Sequence, residues 1–499
     1  MYNILNYSYI VKIIYLVTTL FIFFATLNYY IGNNYLFILF TFSISLLFLS
    51  SFSKNEIKFL QFFLSIFLWL GFYFKLYVCL VILNKFPEGV GSFNFTTNSY
   101  NEVMLVSSLA FLGFYLGFYL SPQKKISQIN FKYLEKTYYK FDKIILSFFV
   151  LILVSVTVFN FKFSFFQKGF ESNYFLNGIV RNLIAYLFLI GFGIATSLII
   201  NFEIKRKNFK FIYIALFQTF CISMSTLSRA MIIDLFAYLI GFVSKFKSYR
   251  FKKRYLVSIF CFLLIAIILF LASIKFTGAV RNLKNIHLNN DKNKIQKEIS
   301  TKYYKYLNNE KSKNIYNSYE HIKEKIINII KGDYTHLNVL ITNRFVGIEG
   351  VMAVQGYENK NFTLFIKSLK EKYKEKSLSF YDKIFLEKTS SYYESLNKII
   401  NQHAITLPGF VAFSYYAGYK FFALVLCFIT AMFLNYIIIT IQNIFNNPIL
   451  TAFISNILAY RLIHWGFAPS NSYKLFLSIF LSLILLIMVN YALKKFIFK

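Results

Sequence analysis

Long stretches without charge dominate this sequence. Several runs of 18 or more residues carry almost no charged side chain, and a helix needs about 20 apolar residues to cross the hydrocarbon of a bilayer. Because water is absent there, backbone groups must be satisfied within helices. With 57% hydrophobic residues, the chain is predicted to be an all-α polytopic membrane protein.

The apolar runs predict about twelve transmembrane helices with little charge at mid-depth. The first run is too long for the apolar region of a signal peptide and lacks a small-residue cleavage site, so we interpret it as a retained helix. The runs fall near 8–30, 34–52, 58–83, 102–120, 143–160, 180–201, 209–225, 229–245, 255–276, 409–442, 448–466 and 474–494.

The positive charge of the chain predicts its orientation. The net charge is +33, and its clearest concentrations are the segments 124–143, 205–210 and 245–254 and the tail 494–499. When twelve spans are threaded alternately, all four lie on one side, which the positive-inside rule makes the cytoplasm. Both termini are then cytoplasmic. Because the charge is scattered over loops, no nucleic-acid partner is expected.

This threading divides the chain into three parts. Residues 1–276 form transmembrane helices 1–9, residues 277–407 form one large extracytoplasmic loop, and residues 408–499 form helices 10–12. Within the loop, "EHIKEKIINII", "HLNVLITNRFVGIEGVMAV" and "NFTLFIKSLKEKYKEK" have apolar residues near helical spacing. They predict short amphipathic helices that lie over the membrane.

Arginine is rare in this chain and its placement indicates an anion site. Of 54 basic residues only eight are Arg, and three of these belong to the basic cytoplasmic segments. Guanidinium binds phosphate in bidentate fashion and is less strongly hydrated than ammonium. The alternative for each residue, snorkelling to headgroups or pairing with an acid, stays open. The five on the predicted outer face are Arg181, Arg229, Arg281, Arg344 and Arg461.

The stretch "STLSRAMIID" connects two short predicted spans of about 17 residues, so the turn between them is expected to be recessed below the outer surface. Ser225, Thr226 and Ser228 are residue types that cap helix N-termini. A helix that begins here with Arg229 offers an anion site. Asp234 is expected to be a buried partner for a basic side chain, with a catalytic acid as the alternative.

A second helix start is predicted at "TLPGF", with Thr406 as cap and Pro408 in the first turn. Just before it, His403 is a candidate general base close to the membrane surface, with a polar loop residue as the alternative. Glu349 is the rival base, with an internal ion pair as its alternative. Four late tyrosines would line a sugar groove or belong to a membrane interface, namely Tyr392, Tyr393, Tyr415 and Tyr416.

No metal or cofactor is expected. The five histidines all fall on the predicted outer side, and their spacing matches no metal motif. The four cysteines lie in apolar segments without C-x-x-C spacing, so they indicate neither a metal site nor a disulfide.

Three segments carry a resemblance to a known family. With about twelve spans and one large late loop, "STLSRAMIIDLFAYL", "RFVGIEGVMAV" and "LPGFVAFSYYAGYKFFAL" together resemble the Wzy-type oligosaccharide repeat-unit polymerases, which build O-antigens and capsules. The resemblance implies a GT-C-like, metal-independent membrane glycosyltransferase in the bacterial cytoplasmic membrane. By matching motif it gives Arg229 and Arg344, and by position Arg281, a role at a lipid diphosphate.

The resemblance also implies the substrates. A growing glycan would leave its undecaprenyl diphosphate at the extracytoplasmic face and join a hydroxyl of a second lipid-linked unit. Donor and acceptor oligosaccharides, membrane lipid and a chain-length regulator protein are the implied partners. The chemistry requires charge stabilisation of the departing phosphates and deprotonation of the attacking hydroxyl.

Two other functions fit the same layout. An O-antigen ligase differs mainly in its acceptor. A flippase or transporter would carry charge at mid-membrane depth and broken helices related by repeats. A polyprenyl-monophosphate-sugar transferase is disfavoured, because the outer loop at 84–101 carries only Glu88, with Glu102 at its border.

Overall fold

The computed structural model consists of helices and their connections. It describes residues 7–53, 57–122, 127–163, 178–208, 212–228, 231–245, 260–277, 279–280, 346–372, 379–386, 407–466 and 469–496, with backbone only for 7, 178–182, 471 and 496. Among these residues there is no β-strand, and one antiparallel bridge joins Phe52 and Ile57.

The helices are numbered in chain order. They are α1 (Tyr7–Leu27), α2 (Asn34–Leu49), α3 (Phe59–Ile82), α4 (Thr97–Tyr119), α5 (Lys132–Lys140), α6 (Asp142–Phe163), α7 (Gly178–Lys205), α8 (Tyr213–Thr226), α9 (Met231–Lys245), α10 (Phe260–Thr277), α11 (Ile348–Gln355), α12 (Phe362–Leu369), α13 (Phe410–Ser414), α14 (Lys420–Phe445), α15 (Pro448–Ile463) and α16 (Tyr473–Phe496).

Eight of these helices are long and apolar enough to cross a membrane, namely α1, α3, α4, α6, α7, α10, α14 and α16. Each of the twelve predicted apolar runs contains a helix, but α2, α8, α9 and α15 have only 14 to 16 residues. At 1.5 Å per residue they are about 21–24 Å long, less than the thickness of the hydrocarbon. The all-helical, multi-spanning class is confirmed, and the number twelve stays a prediction.

Side-chain burial agrees with a lipid environment. On α6 the large apolar residues Ile144, Phe148 and Leu151 are all more than 60% exposed. In contrast, polar groups such as Asn160 of the same helix are fully buried. An outer surface of this kind is stable against hydrocarbon and would aggregate in water.

Small residues bring the central helices together. A Cβ atom at Gly113 of α4 would lie 2.3 Å from the carbonyl oxygen of Leu424 in α14, and one at Gly117 would lie 2.4 Å from that of Phe428. Such close approach of backbones is typical of helix pairs in membranes. It fixes α14 along α4.

The polar contacts gather at the two ends of the bundle. At one end, Lys205 pairs with Glu135 at 2.5 Å and Arg206 pairs with Asp142 at 2.7 Å. These contacts join the basic segments near residues 124–143 and 205–210, which were predicted to share a side. The connections after α3, before α4, before α14 and between α15 and α16 lie at the opposite end.

The tenth predicted span, 409–442, is not one helix. Gly409, with φ +81°, precedes the five-residue α13, and Gly418, also with φ +81°, separates a 3-10 turn from α14. These left-handed conformations break the helix. Pro408 therefore lies before the first turn rather than in it, and Gly409, not Thr406, is the N-cap residue. Thr406 lies outside the described residues.

The prediction that Ser225 and Thr226 cap the eighth span is wrong. Both belong to the last turn of α8, where each hydroxyl donates to the Ile222 carbonyl. The helix ends at Leu227, which is left-handed with φ 49°. The Thr226 and Ser228 hydroxyl oxygens lie 2.9 Å apart, and the Ser223 hydroxyl donates to the Ser228 carbonyl at 2.5 Å. The reversal is thus stabilised by hydroxyls bonding backward along α8.

Candidate functional site

Helix α11 carries the motif "GIEGVMAV" into the bundle. All its residues from Ile348 to Val354 are buried, so this helix is packed within the protein on all sides, and its predicted position over the membrane stays a prediction. Two glycines allow α11 to pack closely against its neighbours. A Cβ atom at Gly71 of α3 would lie 2.3 Å from the Val346 carbonyl oxygen, and one at Gly350 would lie 2.1 Å from that of Pro408.

A lysine and two carboxylates meet where α11 contacts α3. Lys75 Nζ lies 2.5 Å from Glu349 Oε2 and 3.4 Å from Glu88 Oε2. The backbone N–H of Glu88 also donates to Glu349 Oε1 at 3.1 Å. We call these three residues the lysine–carboxylate cluster. It connects a membrane helix, the loop that follows it and the late loop of the chain.

The backbone of α3 is irregular around this cluster. Lys75 begins a three-residue α-helical stretch between the π-helical turns Trp69–Phe74 and Val78–Ile82. Such π-helical turns interrupt an α-helix at few places and are frequent at functional sites. They mark the position of Lys75 as distinct from an ordinary lipid-facing turn.

The three members of the cluster differ in their access to solvent. The side chains of Lys75 and Glu349 are 0% and 1% exposed, whereas that of Glu88 is 18% exposed. Burial raises the pKa of Glu88 to about 8, against the lowering effect of Lys75, and the charge of Glu349 raises it further. Near neutral pH, Glu88 is therefore largely protonated while the other two form the ion pair.

A second polar group fixes the other end of α11. Glu102 of α4 accepts hydrogen bonds from Gln355 Nε2 at 3.0 Å and from the Tyr415 hydroxyl, and Lys420 lies 3.5 Å from its carboxylate. Lys360 donates to the Gln355 carbonyl at 2.8 Å, which satisfies a free carbonyl at the helix end. Helix α11 is thus held by charged groups at both ends.

The late tyrosines are structural where they are described. Tyr415 and Tyr416 are 0% and 1% exposed, so in this structure neither lines an open groove. Their burial raises the pKa of both hydroxyls. Tyr392 and Tyr393 lie outside the described residues.

Arg461 lies at the end of α15 and contacts the 3-10 turn Pro469–Ser472 that precedes α16. Its Nη2 donates to the Ser472 hydroxyl at 3.1 Å, and its guanidinium lies 5.7 Å from the centre of the Trp465 ring. Within the described part of the chain no carboxylate pairs with it, and its buried Nε has no hydrogen-bond partner there. We call Arg461, Trp465 and Ser472 the arginine corner. Its free donors fit an anion.

The turn Pro408–Gly409 lies between the two groups. On one side the Pro408 carbonyl contacts Gly350, the neighbour of Glu349. On the other side Gly409 donates to the Trp465 carbonyl at 3.0 Å, and a Cβ atom at Gly466 would lie 2.3 Å from the Pro408 ring. The lysine–carboxylate cluster and the arginine corner are therefore joined through one short turn.

An apolar crevice adjoins this turn. It lies between α3, α4, α13 and α15, and its lining includes Leu68, Phe72, Phe114, Val346 and Phe410. No charged side chain contributes to it among the described residues. The end of the bundle thus combines charged groups with a narrow apolar opening.

The structure describes only part of the predicted site. Glu349 and Arg461 are described as above, and the backbone of Arg181 belongs to α7. Asp234 accepts a hydrogen bond from Asn456 Nδ2 at 3.5 Å, and its pairing with a basic side chain stays a prediction. The other predicted site residues, Arg229, Arg281, Arg344 and His403, lie outside the described residues.

Sequence reasoning missed Lys75 and the role of Glu88. The missed signal was a single lysine within "WLGFYFKLYVCLVIL", an otherwise uncharged run. An ionisable side chain inside a span is costly, so it indicates a buried partner and a functional site. The partner, Glu349, is 274 positions away along the chain, and no local pattern connects the two.

The described structure defines a helical, multi-spanning membrane protein with a late loop inserted into one end of its bundle. Comparisons with protein-family models, with curated proteins and with solved structures find no match. No cluster of three metal-ligating side chains occurs among the described residues.

Proposed function

We propose that this protein is an oligosaccharide repeat-unit polymerase of the bacterial cytoplasmic membrane. It would join undecaprenyl-diphosphate-linked units into an O-antigen or capsule at the extracytoplasmic face, through about twelve spans in a GT-C-like arrangement. The reaction would be a glycosyl transfer without a metal, with lipid diphosphate as the leaving group.

The observation that carries this proposal is the state of Arg461. Arg461 has no carboxylate partner among the described residues, and its buried Nε and the buried Nε1 of Trp465 have no hydrogen-bond partner there. An anion that accepts from these donors would satisfy both. The corner lies where α15 ends and α16 begins, at the end of the bundle opposite the basic segments, and in the proposed topology this is the level of a lipid diphosphate. The resemblance in "SRAMIID" and "RFVGIEG" places Arg229 and Arg344 in the same role.

The position of α11 supports the proposal further. Val346, two residues after Arg344, contacts Gly71 and Gly409, and Glu349 follows one turn later in the lysine–carboxylate cluster. Charge stabilisation of a leaving diphosphate and proton removal from a hydroxyl are the two requirements of the reaction. The end of the bundle that holds α11 offers groups for both.

Arg461→Ala is expected to abolish polymer while the amount of protein in the membrane stays unchanged. Loss of one charge-stabilising donor typically lowers a rate by about 10²–10³-fold, and Arg461→Lys should restore little because lysine cannot bind in bidentate fashion. The measurement is the length of the glycan ladder. Arg229→Ala and Arg344→Ala are expected to behave alike.

The matched control is Arg206→Ala, which removes an arginine that pairs with Asp142 at the opposite end of the bundle. It should leave the ladder intact. Normal ladders in the Arg461, Arg229 and Arg344 variants would refute the proposal.

One observation favours a transporter as the second candidate. Lys75 is a fully buried charge inside a span whose helix is interrupted by π-helical turns, and transporters use such features.

Deletion of the gene distinguishes the candidates. Surface glycan with a single repeat unit indicates a lost polymerase, absence of all surface glycan a lost flippase, and polymer retained on the lipid carrier a lost ligase.

A further inference from the structure

The lysine–carboxylate cluster contains one more carboxyl group than an ion pair needs. Lys75 and Glu349 are closest to one another, at 2.5 Å, and both are fully buried. Glu88 is 3.4 Å from the lysine and is the one member with solvent exposure, at 18%. Glu88 is therefore the member of the cluster that a hydroxyl from outside can reach.

We propose that Glu88 is the proton acceptor of the transfer reaction and that Glu349 and Lys75 are its positioning residues. This inference rests on the proposed function and assigns the role of proton acceptor to Glu88 instead of Glu349. Glu349, predicted from sequence as a base, is 1% exposed and in contact with a cation, so an acceptor sugar cannot approach it. It acts instead on Glu88, whose backbone N–H it binds.

The proposed step transfers the donor glycan from its lipid diphosphate to the acceptor hydroxyl. The oxygen of the acceptor hydroxyl forms a bond to the anomeric carbon of the donor glycan. The bond between that carbon and the diphosphate oxygen breaks, and its electron pair leaves on the lipid diphosphate. The hydroxyl proton moves to the carboxylate of Glu88, which later releases it to water. The arginines take up the developing charge on the phosphates.

The surroundings of Glu88 suit this task. The charged and titratable groups that face it among the described residues are Lys75 and Cys79 of α3 and Glu349 of α11. Burial and the charge of Glu349 place its pKa at about 8. An effective general base has a pKa near the operating pH. At pH 7 a minority of the molecules then carries the base form.

The position relative to the arginine corner also fits. Glu88 binds Glu349, Glu349 precedes Gly350, and Gly350 contacts the turn Pro408–Gly409 that binds Trp465. A lipid-linked donor at Arg461 and an acceptor at Glu88 would therefore bind on the two sides of this turn.

The test uses the full chain in membrane vesicles supplied with lipid-linked repeat units, at pH values from 6 to 9. Because the base form grows as pH rises, the wild-type rate is expected to increase about tenfold per unit at low pH and to level off near pH 8. Glu88→Gln should lower the rate about 10²–10⁴-fold. Glu88→Asp should retain part of it.

Glu349→Gln separates a positioning role from a merely structural one. Removal of the negative charge beside Glu88 should lower the pKa of Glu88 and move the midpoint of the pH profile to lower pH. Glu358→Gln, a change of an exposed carboxylate three residues after α11, is the matched control and should change neither rate nor midpoint. All rates are compared per amount of folded protein.

The outcomes separate the two proposals. If the wild-type protein makes no polymer from lipid-linked units, the proposed function is wrong. If the wild type polymerises and Glu88→Gln does so at the same rate with the same pH midpoint, the assignment of Glu88 alone is overturned. An unchanged midpoint in Glu349→Gln would likewise overturn the positioning role.

Discussion

Glu349→Leu is expected to destabilise the protein by about 3 kcal/mol, because it removes the nearest partner of a lysine that has no access to solvent. Breaking one side of a buried ion pair leaves an uncompensated charge, and the more distant Glu88 at 3.4 Å offsets only part of that cost. The measurement is the free energy of unfolding of the full chain in detergent.

The double variant Lys75→Met with Glu349→Leu is the critical comparison. It removes both charges, and a buried pair replaced by apolar residues of similar size is often nearly neutral in stability. Glu88 then loses its cation and stays protonated, so no buried charge is left unpaired. If the double variant were as unstable as Glu349→Leu, loss of packing and not loss of the charge partner would explain the effect.

Gly350→Val is expected to displace α11 and abolish activity. Even its first side-chain carbon would lie 2.1 Å from the Pro408 carbonyl oxygen, and backbone cannot rotate away as a flexible side chain can. Overpacking of this kind typically costs about 1–3 kcal/mol. Because α11 carries Glu349, the ion pair to Lys75 would be lost as well. We therefore expect a lower thermal stability and the loss of the glycan ladder.

Gly191→Val is the matched control for this prediction. Gly191 lies in α7, and a Cβ atom there would meet no heavy atom within 4 Å. The variant should fold and polymerise as the wild type does, since its added side chain enters open space. Equal damage from both valines would show that the close contact of Gly350 with Pro408 is unimportant.

Much of the fold follows from the sequence because a membrane helix is recognisable from one continuous run of apolar residues. Each of the twelve predicted runs contains a helix, since the pattern needed to satisfy backbone groups in lipid is a property of consecutive residues. The ends of α13 and α14 were missed because Gly409 and Gly418 take left-handed conformations. A glycine permits such a conformation, but the packing around it decides whether it occurs.

The candidate site, like the fold, was predicted only in part from the sequence. Glu349 was predicted as a base or as a member of an ion pair, and the ion pair is what the structure describes. Its partner Lys75 was absent from the prediction, because the pairing depends on α11 entering the bundle. The insertion itself depends on Gly71 and Gly350, whose role is visible only once the opposing carbonyl groups are in place.

By itself, the sequence determined that this chain is a helical membrane protein with basic segments at one end of its bundle, because hydropathy and charge are read along the chain. Only the tertiary structure decided which charges meet. Glu349 is 274 positions from Lys75 along the chain, and their contact arises because burying a charge in an apolar bundle requires an opposite charge beside it.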